Sequence, residues 1–146
     1  MHVFPATFSA REFTASRLAT IKAKRRLSVS VCLPARDEES TVGAIVAAVR
    51  EELVERTQLV DEILVIDDRS TDATAAVAAA AGAIVVASDE ILPEVGPGSG
   101  KGDAMWKSLH ASSGDIVCWL DADVRAFDPG FVTGLLGPLV TRPDLA

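Results

Sequence analysis

Two carboxylates separated by one residue, Asp121 and Asp123, directly follow a short apolar run. Because residues i and i+2 at the end of a strand point to the same side, both side chains can reach one cation. Mg²⁺ and Mn²⁺ prefer oxygen ligands, and Mg²⁺ commonly takes one or two carboxylates and completes its octahedron with water and phosphate oxygens. The pair therefore predicts a metal site, although the same acids could instead cap the following turn.

Three more polar clusters, at residues 36–39, 67–72 and 98–101, follow the three earlier apolar runs. In the last cluster, Lys101 stands among glycines, where it can present a compact charge to phosphate or remain a solvated loop lysine. In the middle cluster, the adjacent side chains of Asp67 and Asp68 point in opposite directions, so only one of them faces a ligand. We expect this to be Asp68, whose carboxylate can accept a hydrogen bond from a base N–H or a ribose hydroxyl.

For the residues that neighbour these candidates, a structural role is the alternative to ligand contact. Residues 70–72 are Ser, Thr and Asp, which are suited to cap the helix that follows them and so leave Asp68 for a ligand. Glu38 is a further candidate for ligand contact. Glu38 and Glu39 would also stabilise a helix N-terminus through the helix dipole.

Strands and helices alternate along the chain. Apolar, β-branched runs predict four strands, the first closed by Pro34, at residues 27–33, 62–66, 84–87 and 116–120. Helical spacing of apolar residues predicts helices at residues 10–24, 40–56, 73–81, 103–112 and 128–140. Gly82 is expected as a C-cap, and the prolines and glycines of residues 93–102 predict an irregular loop.

This alternation predicts an α/β fold with a mainly parallel sheet covered on both faces. Ligands of such sheets bind at the carboxyl ends of the strands, so the four polar clusters should converge on one crevice. We divide the chain into an N-terminal arm and helix in residues 1–26 and a ligand-binding domain in residues 27–146. Because 146 residues are few for an enzyme that holds both a donor and an acceptor, we expect the domain to be incomplete.

The composition narrows the class of protein. With 21 acidic against 14 basic residues, the formal net charge is -7, which argues against a nucleic-acid partner. No apolar run approaches the roughly 20 residues that would span a bilayer, so we expect a soluble protein without a membrane partner. Cys32 and Cys118 each lie inside an apolar run, which predicts buried free thiols and is compatible with a reducing cytoplasm.

Several other site types do not fit the residues. Val95 and Gly102 stand where a Walker A motif needs glycine and Ser or Thr, and no G-x-G-x-x-G joins a strand to a helix. A haloacid-dehalogenase-like phosphatase would need Thr or Val where Arg125 stands. A zinc site is not expected, because His2 and His110 are the only histidines.

Three segments together resemble the GT-A glycosyltransferases of the family-2 type: VCLPARDEE at residues 31–39, VIDDRSTD at 65–72 and WLDAD at 119–123. A fourth region is similar to the glucosyl-3-phosphoglycerate synthase family, through LPEV at 92–95, GKG at 100–102, Ala104 and Trp106. The resemblance extends from about Phe8 to Ala146, the N-terminal half of such an enzyme.

The resemblance implies a Rossmann-like GT-A domain of a metal-dependent glycosyltransferase. UDP-glucose or a related sugar nucleotide would be the donor, Mg²⁺ or Mn²⁺ the cofactor and 3-phosphoglycerate the acceptor, with retention of anomeric configuration. Asp68 would contact the base, Lys101 the diphosphate and Asp123 the metal, with Asp121 beside it. The remaining residues implied in nucleotide binding are Pro34, Ala35, Arg36, Glu38 and Ala122, and Asp121 would lie against the nucleotide as well as beside the metal.

Two residues depart from the family pattern: Asp37 replaces the usual asparagine, and Arg69 replaces a small residue, and either could alter the preferred base. The family's acceptor-binding residues and a further metal-ligating histidine correspond to positions beyond Ala146. One alternative is a GT-A enzyme for another acceptor, such as a mannosyltransferase or a polyprenyl-phosphate glycosyltransferase. Another is a non-catalytic module that only binds nucleotide sugar. A homodimer is compatible with the sequence, which does not determine the oligomeric state.

Overall fold

The computed structural model describes residues 7–145 and contains one four-stranded sheet. Its strands are β1 (Val29–Ala35), β2 (Glu62–Asp67), β3 (Ile84–Ala87) and β4 (Ile116–Trp119). They lie in the order β3-β2-β1-β4, and every neighbouring pair is parallel. The prediction of an α/β fold with a parallel sheet is therefore confirmed.

Five helices connect and flank the strands: α1 (Ala15–Arg25), α2 (Val42–Val49), α3 (Thr74–Ala81), α4 (Gly100–Ala111) and α5 (Gly130–Thr141). Helix α2 continues as a π-helical segment, Arg50–Arg56. Helix α3 ends at Gly82, whose φ of 105° gives the left-handed C-cap predicted for it. Among residues 7–145, no helix has both the length and the apolar character needed to cross a membrane.

The two faces of the sheet bury different sets of side chains. On one face, Leu33 and Val65 pack in a core that also contains residues of α1, α2, α3 and α5. On the other face, Cys32, Leu64 and Ile66 form a smaller core with Ala104 of α4. This alternation is expected for strands covered on both sides, and it explains why the runs are apolar throughout.

The N-terminal helix is part of the main core. Leu18 is only 1% exposed, and Lys22 forms an ion pair of 2.7 Å with Asp61. Arg25 donates from Nη1 to the carbonyl oxygen of Leu139 at 3.0 Å, which ties α1 to α5. The division after residue 26 stays a prediction, and residues 1–6 of the predicted arm lie outside the described residues.

Three predicted boundaries were wrong. Helix α1 begins at Ala15 instead of residue 10, because the chain is extended at Phe13 and Thr14 and the Thr14 side chain caps the helix. Strand β1 does not stop before Pro34 but continues to Ala35, with Pro34 opposite Ile66. The proline is tolerated because its backbone nitrogen faces the β4 side of the strand. The pairing of β1 with β4 ends at Cys32, so no ladder hydrogen bond is lost at Pro34. Helix α4 begins at Gly100 instead of residue 103, so Lys101 lies in its first turn and not in an irregular loop.

The direction in which strands are added to the sheet reverses between β1 and β4. The chain runs outward from β1 through β2 to β3, and then returns to add β4 on the opposite side of β1. In open parallel sheets the connections diverge at such a point and leave a crevice at the carboxyl ends of the strands. The crevice of this sheet therefore lies next to Ala35 and the residues that follow Trp119.

Candidate functional site

One cavity of about 270 Å³ opens at this reversal point and brings together all of the predicted site residues. Residues that follow β1, β2 and β4 line it together with the first turn of α4. Sequence reasoning missed two further lining residues, Gly100 and Ala104, because it placed the start of α4 too late. The predicted residues that line the cavity are Pro34, Ala35, Arg36, Glu38, Asp68, Lys101, Asp121, Ala122 and Asp123.

The turn after β4 presents two carboxylates to the cavity. The amide of Leu120 still donates to the carbonyl oxygen of Cys32 at 3.0 Å, and the chain then leaves the sheet. Ala122 is buried, and its carbonyl oxygen accepts a hydrogen bond of 2.6 Å from the Thr41 hydroxyl. Asp121 and Asp123 flank this anchor and are exposed, so the anchored alanine aims both acids into the cavity.

These two carboxylates fit a magnesium or manganese ion that shares its coordination with a ligand. Asp123 makes no hydrogen bond or ion pair with any residue of the range 7–145, so its oxygens are available. No cluster of three or more His, Cys, Asp or Glu side chains with metal-binding geometry occurs in that range. The described residues therefore offer the two carboxylates of Asp121 and Asp123, and water and phosphate oxygens would complete the octahedron.

Lys101 forms an ion pair with Asp121 across the cavity. Both side chains are more than half exposed, so the pair holds the lysine only weakly and leaves it able to exchange partners. Lys101 belongs to the first turn of α4, where backbone N–H groups without helical partners favour negative charge. Lys101 lines this cavity, as the sequence predicted, whereas its binding to diphosphate stays a prediction.

Asp68 is the buried carboxylate of the site. Its side chain is 7% exposed, and Oδ1 accepts hydrogen bonds from the Ser88 hydroxyl at 3.1 Å and from Arg69 Nε at 3.2 Å. Oδ2 lies 4.0 Å from Nη1 of Arg36. Asp67 does not line the cavity, and its buried Oδ1 has no hydrogen-bond partner in the described range. The choice of Asp68 over Asp67 as the residue facing the cavity thus agrees with the structure.

Reciprocal hydrogen bonds fasten the loop after β1 to the start of α3. Glu39 Oε2 accepts from the Ala73 amide at 2.9 Å, and the Glu39 amide donates to Asp72 Oδ2 at 3.2 Å. Asp72 Oδ1 accepts from the Thr74 amide at 2.9 Å. The Thr74 hydroxyl also donates to this carboxylate and lowers the pKa of Asp72. The predicted capping role is therefore shared by Asp72 and Glu39.

The sequence predicted that Ser70 and Thr71 would cap α3 together with Asp72, and for these two residues the prediction was wrong. Ser70 Oγ accepts from the Asp37 amide at 3.0 Å, and the Thr71 amide donates to Asp37 Oδ1 at 2.7 Å. The backbone of Asp37 is left-handed, with φ 54°, which turns its carboxylate towards this loop. Asp37 is not among the residues that line the cavity, since its side chain is used to hold two loops together.

The charges around the cavity do not suit an anion by themselves. Four acidic side chains line it, against the two basic side chains of Arg36 and Lys101. A diphosphate entering alone would meet net repulsion, and the low dielectric of a protein cleft increases this effect. A divalent cation held by Asp121 and Asp123 would reverse the balance next to Lys101. These charges therefore suit the joint binding of a metal and a phosphorylated ligand better than the binding of an anion alone.

A parallel α/β sheet with this carboxylate and lysine arrangement at its reversal point is the architecture of GT-A nucleotide-sugar-dependent glycosyltransferases. The sequence signature described as Glycosyl transferase family 2 matches residues 30–146. The chain belongs to glycosyl transferase family 2.

Named relatives narrow the comparison. The chain is 48% identical over 129 residues to a glucosyl-3-phosphoglycerate synthase of Mycolicibacterium smegmatis, with 88% of this chain and 41% of that protein covered. The chain spans only 38% to 41% of the length of the glucosyl-3-phosphoglycerate synthases that it matches.

Solved structures of related enzymes are similar to this chain in both fold and sequence. A mannosyl-3-phosphoglycerate synthase from Rubrobacter xylanophilus superposes with a TM-score of 0.89 at 42% identity, over 93% of this chain and 44% of that one. Glucosyl-3-phosphoglycerate synthase from Mycobacterium tuberculosis, in complex with Mn²⁺, UDP and glucosyl-3-phosphoglycerate, gives 0.82 at 41% identity, over 92% and 47% of the two chains. The expected resemblance and the GT-A fold are confirmed.

Proposed function

We propose that this chain is the donor-binding part of a metal-dependent glycosyltransferase that moves glucose from UDP-glucose to 3-phosphoglycerate. The observation that carries the proposal is the single cavity at the sheet reversal, where Asp68, Lys101 and the Asp121–Asp123 pair face one another. The mycobacterial relative with bound Mn²⁺, UDP and glucosyl-3-phosphoglycerate supports the choice of donor and acceptor. Transfer proceeds with retention of anomeric configuration in this proposal.

The nucleoside occupies the side of the cavity next to β1 and β2. Asp68 is well placed to accept a hydrogen bond from a base N–H, because none of the described residues donates a hydrogen bond to its second oxygen and Arg36 lies 4.0 Å from it. Because this carboxylate is buried, a bound base that left its oxygen without a hydrogen bond would be disfavoured. A base with an N–H at that position is therefore favoured. The walls of this part of the cavity are Pro34, Ala35, Arg36, Glu38 and Ala122.

The diphosphate occupies the side next to α4. Lys101 would exchange Asp121 for a phosphate oxygen, and Asp121 and Asp123 would be the carboxylates that hold Mg²⁺ or Mn²⁺. When bound, the metal acts as a Lewis acid that stabilises the charge developing on the departing diphosphate. Lys101 and the first-turn N–H groups of α4 add fixed positive charge at the same place.

A second candidate is transfer of mannose from a mannose nucleotide. The Rubrobacter relative named mannosyl-3-phosphoglycerate synthase, at 42% identity, favours this alternative. Of the two departures from the family pattern, Asp37 does not line the cavity and Arg69 contacts Asp68, so Arg69 is the departure better placed to alter base preference. We place the protein in a reducing cytoplasm, because Cys32 and Cys118 are buried free thiols.

Competitive binding to a panel of nucleotides tests the proposal. Calorimetric titrations of this chain in Mn²⁺ would compare UDP-glucose, UDP-mannose, GDP-glucose and GDP-mannose. The proposal predicts that UDP-glucose binds at least about tenfold more tightly than GDP-mannose, a difference of about 1.4 kcal/mol. Tighter binding of GDP-mannose would establish the second candidate, and failure of all four to bind would reject both.

A further inference from the structure

Arg69 directly follows Asp68, which lines the cavity, and has an unusual backbone conformation. Its φ is 59°, in the left-handed region that disfavours side chains with a Cβ. Strained residues of this kind persist where the surrounding contacts hold them, and they concentrate at functional sites. The side chain of Arg69 is 43% exposed and makes two hydrogen bonds in different directions.

These two hydrogen bonds join the nucleoside side of the site to the glycine-rich segment, residues 96–100. Nε of Arg69 donates to Oδ1 of Asp68 at 3.2 Å, and Nη2 donates to the carbonyl oxygen of Gly98, also at 3.2 Å. Gly98 is 29 residues away in the chain and stands three residues before Lys101. The guanidinium therefore spans the gap between the loop after β2 and the segment that leads into α4.

The glycine-rich segment is held from its other side by an acid on α4. The carboxylate of Asp103 lies so close to Gly98 that a Cβ at position 98 would overlap it. Lys107, whose side chain is 1% exposed, lies 3.3 Å from the same carboxylate. A buried lysine paired with this acid fixes the acid in place, so Gly98 lies between two anchored charged groups.

We infer that Arg69 is a positioning residue that fastens the glycine-rich segment to Asp68 and thereby sets the position of Lys101. This inference rests on the proposed function, in which Asp68 meets the base and Lys101 meets the diphosphate. Through Arg69, the position of Lys101 depends on Asp68, the residue that meets the base. A lysine at position 69 could not substitute, since its single ammonium group cannot provide the guanidinium's spaced donors.

The variant Arg69→Gly tests the inference without straining the fold. Glycine adopts a positive φ without steric cost, so the substitution removes the side chain and relieves the backbone. Arg26→Gly is the matched control, because Arg26 is also exposed, has a φ of 55° and lies at the end of α1, away from the cavity. Both variants lose one positive charge.

We expect Arg69→Gly to weaken UDP binding in Mn²⁺ by about tenfold and uridine binding by less than about twofold, because Asp68 keeps its hydrogen bond from Ser88. Arg26→Gly should change neither. In a Lys101→Ala background, Arg69→Gly should have almost no further effect on UDP, since it acts through that lysine. Arg69→Lys should resemble Arg69→Gly.

Two results would overturn the inference. Equal losses for UDP in both backgrounds would mean that Arg69 touches the phosphates directly, and equal losses for uridine and UDP would mean that it only orients Asp68. If the parent chain does not bind UDP, the proposed function fails, but amide hydrogen exchange still tests Arg69. Exchange across residues 96–101 should be faster in Arg69→Gly than in the parent and in Arg26→Gly, and unchanged exchange would reject the positioning role.

Discussion

The ammonium group of Lys101 and the carboxylate of Asp121 form an ion pair across the mouth of the cavity, although the residues are 20 positions apart. The lysine lies in the first turn of α4, and the acid follows β4. The N-terminus of α4 and the turn after β4 therefore meet in a charged contact, at the place where the proposed function puts a diphosphate and a metal. A ligand that brings both would give each residue a new partner.

The first prediction concerns Lys101. Replacing it with alanine should weaken UDP binding in Mn²⁺ by roughly ten- to a hundredfold, because a charge-assisted hydrogen bond contributes about 1.5 to 3 kcal/mol. Uridine has no phosphate, so its affinity should barely change. Calorimetry with both ligands makes the comparison, with Lys24→Ala of α1, an exposed lysine, as the control. UDP affinity within about twofold of the parent would show that Lys101 is only a solvated lysine.

The second prediction concerns Thr41, which sequence reasoning missed. Thr41→Val keeps the shape of the side chain but removes the donor to the buried Ala122 carbonyl oxygen. The free energy of unfolding should fall by about 1 to 3 kcal/mol, and metal-dependent UDP binding should weaken because the turn bearing both acids loses its anchor. Urea denaturation and calorimetry measure the two effects. Thr41→Ser retains the hydroxyl and should behave like the parent, so equal effects of Val and Ser would contradict the anchoring role.

The third prediction concerns Glu39, which accepts from the Ala73 amide at the start of α3. Glu39→Ala should lower the free energy of unfolding by about 1 kcal/mol, the usual effect of losing a helix cap. Glu39→Gln keeps an acceptor oxygen and should cost less. Glu51→Ala is a control, because Glu51 is exposed and its contact with Arg56 is 3.5 Å. If Glu39→Ala were no more destabilising than Glu51→Ala in urea denaturation, the cap would contribute nothing.

The convergence of the polar clusters could be predicted from sequence because it follows from the sheet alone. Once the strands ending near Ala35 and Trp119 are parallel neighbours, the residues after them must share an edge. The contacts of Asp37 and Arg69 could not be predicted, because each has a positive φ, which is uncommon for residues other than glycine. Their partners, Thr71 and Gly98, lie about 30 residues away, and no short-range periodicity reports such pairs.

The fourth prediction concerns the two thiols. Burial raises the pKa of Cys32 from 9.0 to about 11 and that of Cys118 to about 12. Neither should react with a disulfide reagent at pH 8 in the folded protein, whereas both should react in denaturant. The thiols' contribution to stability is fully present below pH 9 and is lost between pH 9 and about 11 to 12, because only the unfolded thiols ionise in that window. Cys118→Ala should reduce this fall, and rapid labelling of the folded chain at pH 8 would contradict the burial.

The proposed site depends above all on the joint binding of metal and diphosphate, which Asp123 should control. UDP would be titrated calorimetrically into the parent chain with Mn²⁺ and with a chelator, and then into Asp123→Asn and the exposed control Asp144→Asn. Asp123→Asn removes one charge while keeping the size of the side chain. The four carboxylates of the cavity predict that UDP binding weakens at least about tenfold with chelator and equally in Asp123→Asn, whereas Asp144→Asn matches the parent. Equal UDP affinity in all four titrations would contradict the account and leave Asp121 and Asp123 as structural residues of a turn.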